Sequence, residues 1–350
     1  MNHLTTLLEK LRREGSLSHG EFLALLAEYS NPNFREYAAT LARQLAFERF
    51  GEGVYVRGII EFSNYCINDC LYCGIRRSNK KAERFRMDEK AILECCEAGF
   101  NCNLHTFVLQ SGEDRAWGTE RLCALVKEIK KRYPECAVTL SVGELTRNEY
   151  QKLFDAGADR YLLRHESASE EHFAMIHPAE QKLSSRMECL SALKSIGFQT
   201  GCGFMVGTPG QTLDHLACDM EFISSFKPHM VGIGPFIPHC DTPFANASSG
   251  SVELTLLLLS LCRIMDPELL LPATTALGTL DSDGRIKGIL AGANVIMPNI
   301  SPVEIRNKYA LYNNKNSADA GIFAELEGKL AAIGRKIVAG RGDHGEKRSC

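Results

Sequence analysis

Eight short runs rich in apolar and β-branched residues, separated by helical segments, constrain the fold of this chain more than any other feature. The runs predict strands at Val54–Phe62, Thr106–Gln110, Ala137–Val142, Arg160–Glu166, Gln199–Val206, Met230–Phe236, Leu270–Ala276 and Asn294–Asn299. Most of them are continuously apolar, which is typical of parallel strands covered on both faces. Glycines that suit a left-handed helix cap precede four of the strands, at Gly99, Gly157, Gly197 and Gly292.

Eight βα units over about 250 residues match the size of a closed (β/α)8 barrel of the TIM type. The predicted fold class is therefore α/β. The alternative is an open, doubly wound sheet. Its dinucleotide-binding form needs a G-x-G-x-x-G turn after the first strand, and a long cysteine-containing loop stands there instead.

The residues before the first strand predict an N-terminal helical extension. Leucines recur at helical spacing from Leu4 to Leu11. Ser18 and Glu21 form a capping-box pattern, and Pro32 suits the first turn of a third helix. We therefore predict an extension over residues 1–50, a barrel over 51–340 and a basic C-terminal tail over 341–350.

Charge and hydropathy narrow the classes of partner. The chain carries 40 Lys and Arg against 43 Asp and Glu, a net charge of −3, so the basic footprint of a nucleic-acid partner is missing. No apolar run approaches the ~20 residues of a membrane span, and the first residues lack the apolar core of a signal peptide. We expect a cytoplasmic protein without a nucleic-acid or membrane partner, whose isolated cysteines are buried thiols.

The loop after the first predicted strand carries the motif C-x3-C-x2-C, formed by Cys66, Cys70 and Cys73. Three closely spaced thiolates can bind three irons of a 4Fe–4S cluster and leave the fourth iron open. The amine and carboxylate of S-adenosylmethionine can chelate that iron, and an electron from the cluster then breaks the S–C5′ bond to give a 5′-deoxyadenosyl radical. A structural zinc site would need a fourth ligand, and the next cysteines, Cys95 and Cys96, lie on a predicted helix. The motif predicts a radical S-adenosylmethionine enzyme.

The carboxyl ends of the other strands should hold S-adenosylmethionine and the substrate, because barrel active sites are built at that face. The second strand ends in the run Gln110-Ser111-Gly112-Glu113, where a glycine permits close approach and an acid can accept from an ammonium group. The fourth strand ends in Arg164-His165-Glu166, and alternation places Arg164 and Glu166 on one face. A mutual salt bridge is the alternative role for this pair.

Later strand ends add weaker candidates. The turn that begins at Met205 suits contacts to adenine or to backbone groups. Four further polar residues are predicted to line the barrel mouth: Thr274, Thr275, Asn299 and Tyr309.

Longer strings accompany these motifs, among them IIEFSNYC, CLYCGIRRSNK, VLQSGED, ADRYLLRHE, MVGTPGQT, MVGIGPFIPH, PATTA and GANVIMPN. Together they resemble the HydE family, the radical maturases of FeFe-hydrogenases. The resemblance extends from about Asn31 to the C-terminal region. It implies a full (β/α)8 barrel with the substrate cavity inside.

The resemblance also implies roles for single residues and for partners. It makes Cys66, Cys70 and Cys73 the cluster ligands. It assigns S-adenosylmethionine to Ser111, Gly112, Glu113, Arg164, Glu166, Arg186 and Met205. We predict that Tyr72 joins this group and that the substrate contacts Gln110, Thr274, Thr275, Asn299 and Tyr309. It implies companion hydrogenase maturases and a reductant protein such as ferredoxin or flavodoxin. The implied substrate is a small anion, a cysteine-bound iron carbonyl cyanide complex attacked by the adenosyl radical at its thiolate sulfur.

One departure from the family concerns a second cluster that some members carry beyond the last strand. No cysteine occurs between Cys262 and Cys350, and the matching stretch reads YNNKNSADAGIFAE, so we predict one 4Fe–4S cluster. Three other functions are open: an amino-acid mutase similar to methylornithine synthase, a sulfur inserter similar to biotin synthase, and a non-catalytic iron–sulfur redox protein. The sulfur inserter needs a second cluster, and a simple carrier normally fills all four iron positions.

Overall fold

The computed structural model describes residues 2–315 and 322–345. Its helices are α1 Asn2–Glu14, α2 His19–Ala27, α3 Pro32–Phe50, α4 Glu89–Asn101, α5 Thr119–Arg132, α6 Arg147–Asp155, α7 Glu170–Ile176, α8 Leu183–Ile196, α9 Leu213–Phe226, α10 Val252–Met265, α11 Thr275–Leu280, α12 Gly284–Leu290, α13 Val303–Arg306 and α14 Ile322–Ala331. Its strands are β1 Gly53–Val56, β2 Gly58–Ser63, β3 Thr106–Ser111, β4 Ala137–Ser141, β5 Arg160–Leu162, β6 Gln199–Val206, β7 Met230–Pro235, β8 Pro272–Ala273, β9 Val295–Ile296 and β10 Lys336–Val338.

The strands form two parallel sheets that together make the barrel wall. One has the order β2-β3-β4-β5-β6-β7 and the other β10-β1-β9-β8, with β1 and β2 as two halves of the first barrel strand. Single parallel bridges, Ile59 to Asn299 and Met230 to Leu270, join the sheets at both edges. The predicted (β/α)8 barrel is therefore confirmed, and β10 is an addition outside its ring.

The N-terminal helices lie on the outer helices of the barrel. α3 and α1 pack against α10, and α2 packs against α9. Phe22 and Leu25 of α2 are fully buried, because the apolar face of this short helix is covered by its neighbours. The predicted capping box of Ser18 and Glu21 is present, and Asn31 caps α3 one residue before Pro32.

Regular strand geometry is shorter than predicted at three strand ends. The fourth predicted strand is regular only over Arg160–Leu162, and Glu166 at its predicted end adopts a left-handed backbone with φ of 64°. In the seventh, only Pro272–Ala273 pairs as a regular strand, because α11 begins at Thr275. The eighth is limited to Val295–Ile296. Each shortening frees polar backbone and side chains at the end of the barrel where the cysteine loop lies.

One of the four predicted glycine caps is wrong. Gly157 and Gly197 have φ of 105° and 116°, and Gly292 has φ of 102°, as a left-handed cap requires. Gly99 instead lies inside α4, which continues to Asn101, and Asn103 takes the left-handed conformation with φ of 62°.

The C-terminal residues cover the amino end of the barrel. The carbonyl of Arg341 accepts hydrogen bonds from Thr106 and Arg160, at 2.9 and 2.7 Å. Arg160, fully buried, also donates to Asp343. Residues 341–345, predicted as part of a basic tail, therefore pack against the barrel, and residues 346–350 of that tail lie outside the described residues. Within residues 2–315 and 322–345, no helix has the length and apolar character needed to cross a membrane.

Candidate active site

A cavity of about 350 Å³ occupies the barrel interior. Its wall extends from the cysteine loop to Arg57 and Met230, which lie near the amino ends of β2 and β7. The volume falls in the range of small-molecule and cofactor sites. The cavity therefore joins the cysteine loop to the centre of the barrel.

The cavity brings together most residues that the sequence singles out. Its wall contains Cys66, Cys70, Tyr72, Cys73, Gln110, Ser111, Gly112, Glu113, Arg164, Glu166, Arg186, Met205, Thr274, Thr275 and Tyr309. Asn299 is the one predicted residue that does not line the cavity. Its side-chain amide donates to Oε2 of the wall residue Glu61 at 2.6 Å. Asn299 thus orients a wall residue, which corrects the expectation that it lines the mouth itself.

The cysteine loop is fixed by backbone contacts to the strand ends around it. Ile67 N–H donates to Glu113 O at 3.0 Å, and Leu71 N–H donates to Ile176 O at 3.0 Å. A Cβ at Gly112 would lie 2.3 Å from Tyr65 O. The missing side chain therefore makes room for the backbone of the cysteine loop, not for a ligand. Gly112 is therefore needed for the loop to pack against β3.

The three cysteines of the loop are free thiols in surroundings that disfavour their thiolates. Burial raises the pKa of Cys66 and Cys73, and raises the pKa of Cys70 to about 12. Buried thiolates gathered on one short loop require cations to offset their lost hydration. The donor set therefore fits an iron–sulfur cluster.

Tyr72 is held beside the cysteines by a buried histidine. Its hydroxyl lies 3.2 Å from His177 Nε2, and His177 Nδ1 lies 3.0 Å from Phe173 O. Because a carbonyl oxygen only accepts, Nδ1 carries the proton and Tyr72 donates to Nε2. Burial, followed by the charge of Arg186, lowers the pKa of His177 to about 3, so this ring stays neutral and fixes the Tyr72 hydroxyl.

A second group of charges lies around Glu113. Burial raises the pKa of this carboxyl, whose Oε1 accepts from the backbone N–H of Glu144 at 3.0 Å. Gly143 has φ of 90°, and a Cβ there would lie 1.9 Å from Glu113 Cγ. Arg186 donates to Glu144 Oε1 at 2.6 Å and to Arg164 O at 2.5 Å. These contacts fix the Glu113 carboxylate at the cavity wall.

Arg164 and Glu166 have unused hydrogen-bonding capacity inside the cavity. Arg164 Nη2 lies 3.2 Å from Glu166 Oε2, yet the pair is not aligned as a hydrogen bond. Arg164 Nε and Nη2, Glu166 Oε2 and Thr274 Oγ1 are buried and have no hydrogen-bond partner among the described residues. Buried polar groups are normally satisfied, so such atoms at one cavity indicate that a polar ligand completes them.

A network around Glu61 forms another part of the wall. Glu61 accepts from Lys315 and Asn299, and burial raises its pKa despite these partners. Tyr309 lines the same wall as Gln110 and lies beneath the Lys315 ammonium, which is 4.7 Å from its ring centre. The residues predicted for substrate on this side therefore belong to a charged network.

Sequence reasoning missed several wall residues. Glu61 and Arg57 could have been found, because they are the two charges inside the otherwise mostly apolar predicted strand Val54–Phe62. Gly143 and Glu144 follow a strand, as the identified residues do, and that position was the available signal. Lys315 carries no local pattern that marks it.

Comparison with known proteins places this geometry in a family. The model of the Radical SAM superfamily matches residues 60–223, which include the cysteine loop. The chain is 45% identical over 309 residues to the [FeFe] hydrogenase maturase subunit HydE of Thermotoga maritima, covering 88% of this chain and 87% of that protein. The chain belongs to the HydE family of radical S-adenosylmethionine enzymes.

More distant relatives share the architecture. The 3-methylornithine synthase of Methanosarcina acetivorans is 27% identical over 85% of this chain and 84% of its own length. The crystal structure of methylornithine synthase (PylB) superposes with a TM-score of 0.84 at 24% identity, covering 95% of this chain and 97% of that one. That structure supports the barrel fold.

Membership of the HydE family settles the class of protein and its cofactors. The chain is an enzyme, which decides against a non-catalytic redox protein. Radical S-adenosylmethionine enzymes use a 4Fe–4S cluster and S-adenosylmethionine, and the cysteine loop and the unsatisfied cavity atoms fit both groups.

Proposed function

We propose that this enzyme matures FeFe-hydrogenase by acting on a small anionic precursor inside the barrel. The observation that carries the proposal is one shared cavity. Its wall contains the three loop cysteines together with the unsatisfied atoms of Arg164, Glu166 and Thr274. A cofactor bound at the loop would thus face a substrate bound in the same enclosed space.

Cys66, Cys70 and Cys73 would hold the cluster, and S-adenosylmethionine would occupy the adjoining wall. When bound, these groups supply a 5′-deoxyadenosyl radical. Glu113 would accept from the methionine ammonium, since Glu144 N–H and the space at Gly143 hold its carboxylate at the wall. The free N–H groups of Arg164 suit a carboxylate, and Glu166 Oε2 suits a ribose hydroxyl.

Tyr72, Ser111, Arg186 and Met205 would complete this part of the wall. Arg186 acts through its bonds to Glu144 and to Arg164 O, so we assign it to positioning both sides of the cofactor site. Tyr72, fixed by His177, would confine the cofactor near Cys70.

The remaining wall supports a small anionic substrate. Arg57, Arg164 and Lys315 face the cavity, and Thr274 Oγ1 is an unpaired donor. A cysteine-bound iron carbonyl cyanide complex has the size and charge for this space, and its thiolate sulfur is the proposed point of attack. Gln110, Thr275 and Tyr309 would contact it from the same wall. Such a complex must come from a companion maturase, in keeping with the relative described as a maturase subunit.

The test is anaerobic reconstitution followed by chemical reduction with S-adenosylmethionine present. We expect release of 5′-deoxyadenosine and, with cysteine-derived carboxylates, adenosylation or radical formation at sulfur. Lysine and ornithine are the comparison substrates. Their conversion to rearranged amino acids, without reaction of the cysteine derivatives, would replace this proposal by an amino-acid mutase.

A further inference from the structure

A positively charged surface covers the outer side of the cysteine loop, on a chain whose net charge is negative. Between Cys66 and Arg86 the sequence carries six cationic side chains, Arg76, Arg77, Lys80, Lys81, Arg84 and Arg86, against two acidic ones, Asp69 and Glu83. The whole chain has a net charge of −3. Acids pair with three of these cations: Asp69 with Arg76, Asp241 with Lys81 and Asp114 with Arg86. The positive charge that a partner can reach therefore lies on the exposed cations outside these pairs.

A partner can reach three exposed cations here, and we name them the cation patch: Arg77 and Lys80 of this stretch, and Lys182 from the segment between α7 and α8. Among the described residues, neither Lys80 nor Lys182 lies within ion-pair distance of a carboxylate. Arg77 Nη2 is 3.6 Å from Glu180 Oε1, and both side chains are more than half exposed. An exposed pair of this kind contributes little, so a carboxylate from a partner can replace it.

All three residues of the cation patch adjoin the cysteine loop. Lys80 follows Asn79, whose side chain donates to Gly74 O at 2.7 Å. Gln181, between Glu180 and Lys182, has its side-chain oxygen 3.3 Å from Cys70 Sγ. The backbone of Arg77 donates to Asn68 O at 2.8 Å within the cysteine loop. Gln181 therefore provides a short through-protein connection from the surface to Cys70, and the rate of electron transfer falls steeply as such a connection lengthens.

An apolar residue occurs beside the same surface. Met175 is 42% exposed, one of four large apolar side chains exposed among the described residues. Its neighbour Ile176 binds Leu71 of the cysteine loop through its carbonyl, which places this end of α7 against the loop. Electron-transfer complexes use small interfaces in which charged residues surround a few apolar ones. The charges steer a weak encounter between the two proteins.

We propose that the cation patch is the docking surface for a small acidic electron-carrier protein that reduces the enzyme through Gln181 and Cys70. One electron leaves the reduced carrier and enters the oxidised cluster, and no atom is transferred. This inference rests on the proposed function, because only a cluster at the cysteine loop gives the electron a destination.

The test compares two double charge reversals that lower the net charge equally. Lys80→Glu with Lys182→Glu changes the cation patch. Lys127→Glu with Lys131→Glu changes two exposed lysines of α5, whose last turn lies toward the opposite end of the barrel. The probe is a purified acidic ferredoxin, with flavodoxin as a second carrier. Its affinity for the reconstituted enzyme is measured by calorimetry, and the rate of cluster reduction by stopped-flow absorbance.

At an ionic strength of about 10 mM, where the Debye length is about 30 Å, we expect the cation-patch variant to bind and accept electrons at least about tenfold more weakly. The α5 variant should stay within about twofold of the unchanged enzyme. At about 1 M salt, where the Debye length is about 3 Å, the three proteins should converge. Equal behaviour of the two variants at low salt would overturn the docking proposal.

Chemical reduction separates this inference from the function on which it rests. Dithionite should drive the same release of 5′-deoxyadenosine in all three proteins. Normal release together with unchanged carrier binding would refute the docking surface alone. No release from any of them, with carrier binding still weakened by the patch reversal, would refute the proposed function and leave the binding surface standing.

Discussion

Replacing Glu166 by Gln tests the most specific feature of the candidate site. Glu166 is 8% exposed, and its Oε2 has no hydrogen-bond partner among the described residues, although Arg164 Nη2 lies 3.2 Å away. Glutamine keeps the size of the side chain and removes its negative charge. The cluster loop is untouched, so we expect unchanged iron content and weaker binding of S-adenosylmethionine.

The magnitude follows from the bond that the carboxylate can offer. A hydrogen bond to a charged group contributes about 1.5–3 kcal/mol. Since about 1.4 kcal/mol corresponds to a factor of ten in a dissociation constant, Kd should rise about 10- to 150-fold. The lower end is the better expectation, because the Arg164 side chain is 32% exposed and water screens this side of the site.

Anaerobic calorimetry on the reconstituted protein measures this Kd, and iron and sulfide analysis measures cluster content. Glu170→Gln is the matched control, since Glu170 is an exposed acid on the first turn of α7. An unchanged Kd for Glu166→Gln, together with a lower free energy of unfolding, would refute the reasoning. That result would mean that Glu166 serves only as the ion-pair partner of Arg164.

Three further changes test the loop, the wall and the amino end of the barrel. Replacing any cysteine of the C-x3-C-x2-C loop by Ala should abolish iron binding, whereas Cys102→Ala should keep about four irons per chain. About eight irons per chain in the unchanged protein would contradict the prediction of a single cluster. Gly143→Ala should lower the free energy of unfolding, measured in urea, by about 1–3 kcal/mol and should weaken S-adenosylmethionine binding. The cause is that φ of 90° and the contact with Glu113 both oppose a Cβ. Normal binding would mean that Glu113 does not contact the cofactor. Burial alone would raise the pKa of Asp343. The charge of Arg160 and the hydrogen bonds from Arg341 and Gln199 outweigh burial and lower this pKa to about 2. Asp343→Asn should therefore lower the free energy of unfolding of the cluster-free protein by about 1–2 kcal/mol at pH 7. The difference between the two proteins should begin to shrink below a pH of about 4 and vanish below about 2. A difference that does not depend on pH would mean that the charge of Asp343 is not its cause.

The parts of the molecule that were predictable from sequence are those encoded by local patterns. Continuously apolar runs at regular spacing predict buried parallel strands, and the barrel follows from their number. The three loop cysteines are close in sequence, so their gathering needs no knowledge of tertiary structure. The left-handed backbone at Glu166 was not predictable, because the preceding run reads as one extended strand.

Wall residues that depend on distant partners were beyond sequence reasoning. Lys315 reaches Glu61 across most of the chain, and its own surroundings are a polar loop. Arg186 was assigned only through the family resemblance. Its bonds to Glu144 and Arg164 O depend on how α8 meets the segments that follow β4 and β5, which no local pattern specifies.

The amino end of the barrel illustrates how such distant contacts reach the site. Arg57 lines the reaction cavity and is fully buried, yet its Nη2 donates to Gly342 O at 3.1 Å and its Nη1 contacts Met230 Sδ. Burial lowers the pKa of this guanidinium well below its usual range, with the Arg160 charge as the next contribution. The carboxylate of Asp343 opposes both effects. Because the C-terminal segment places a carbonyl and an acid beside Arg57, that segment contributes to the electrostatics of the cavity floor.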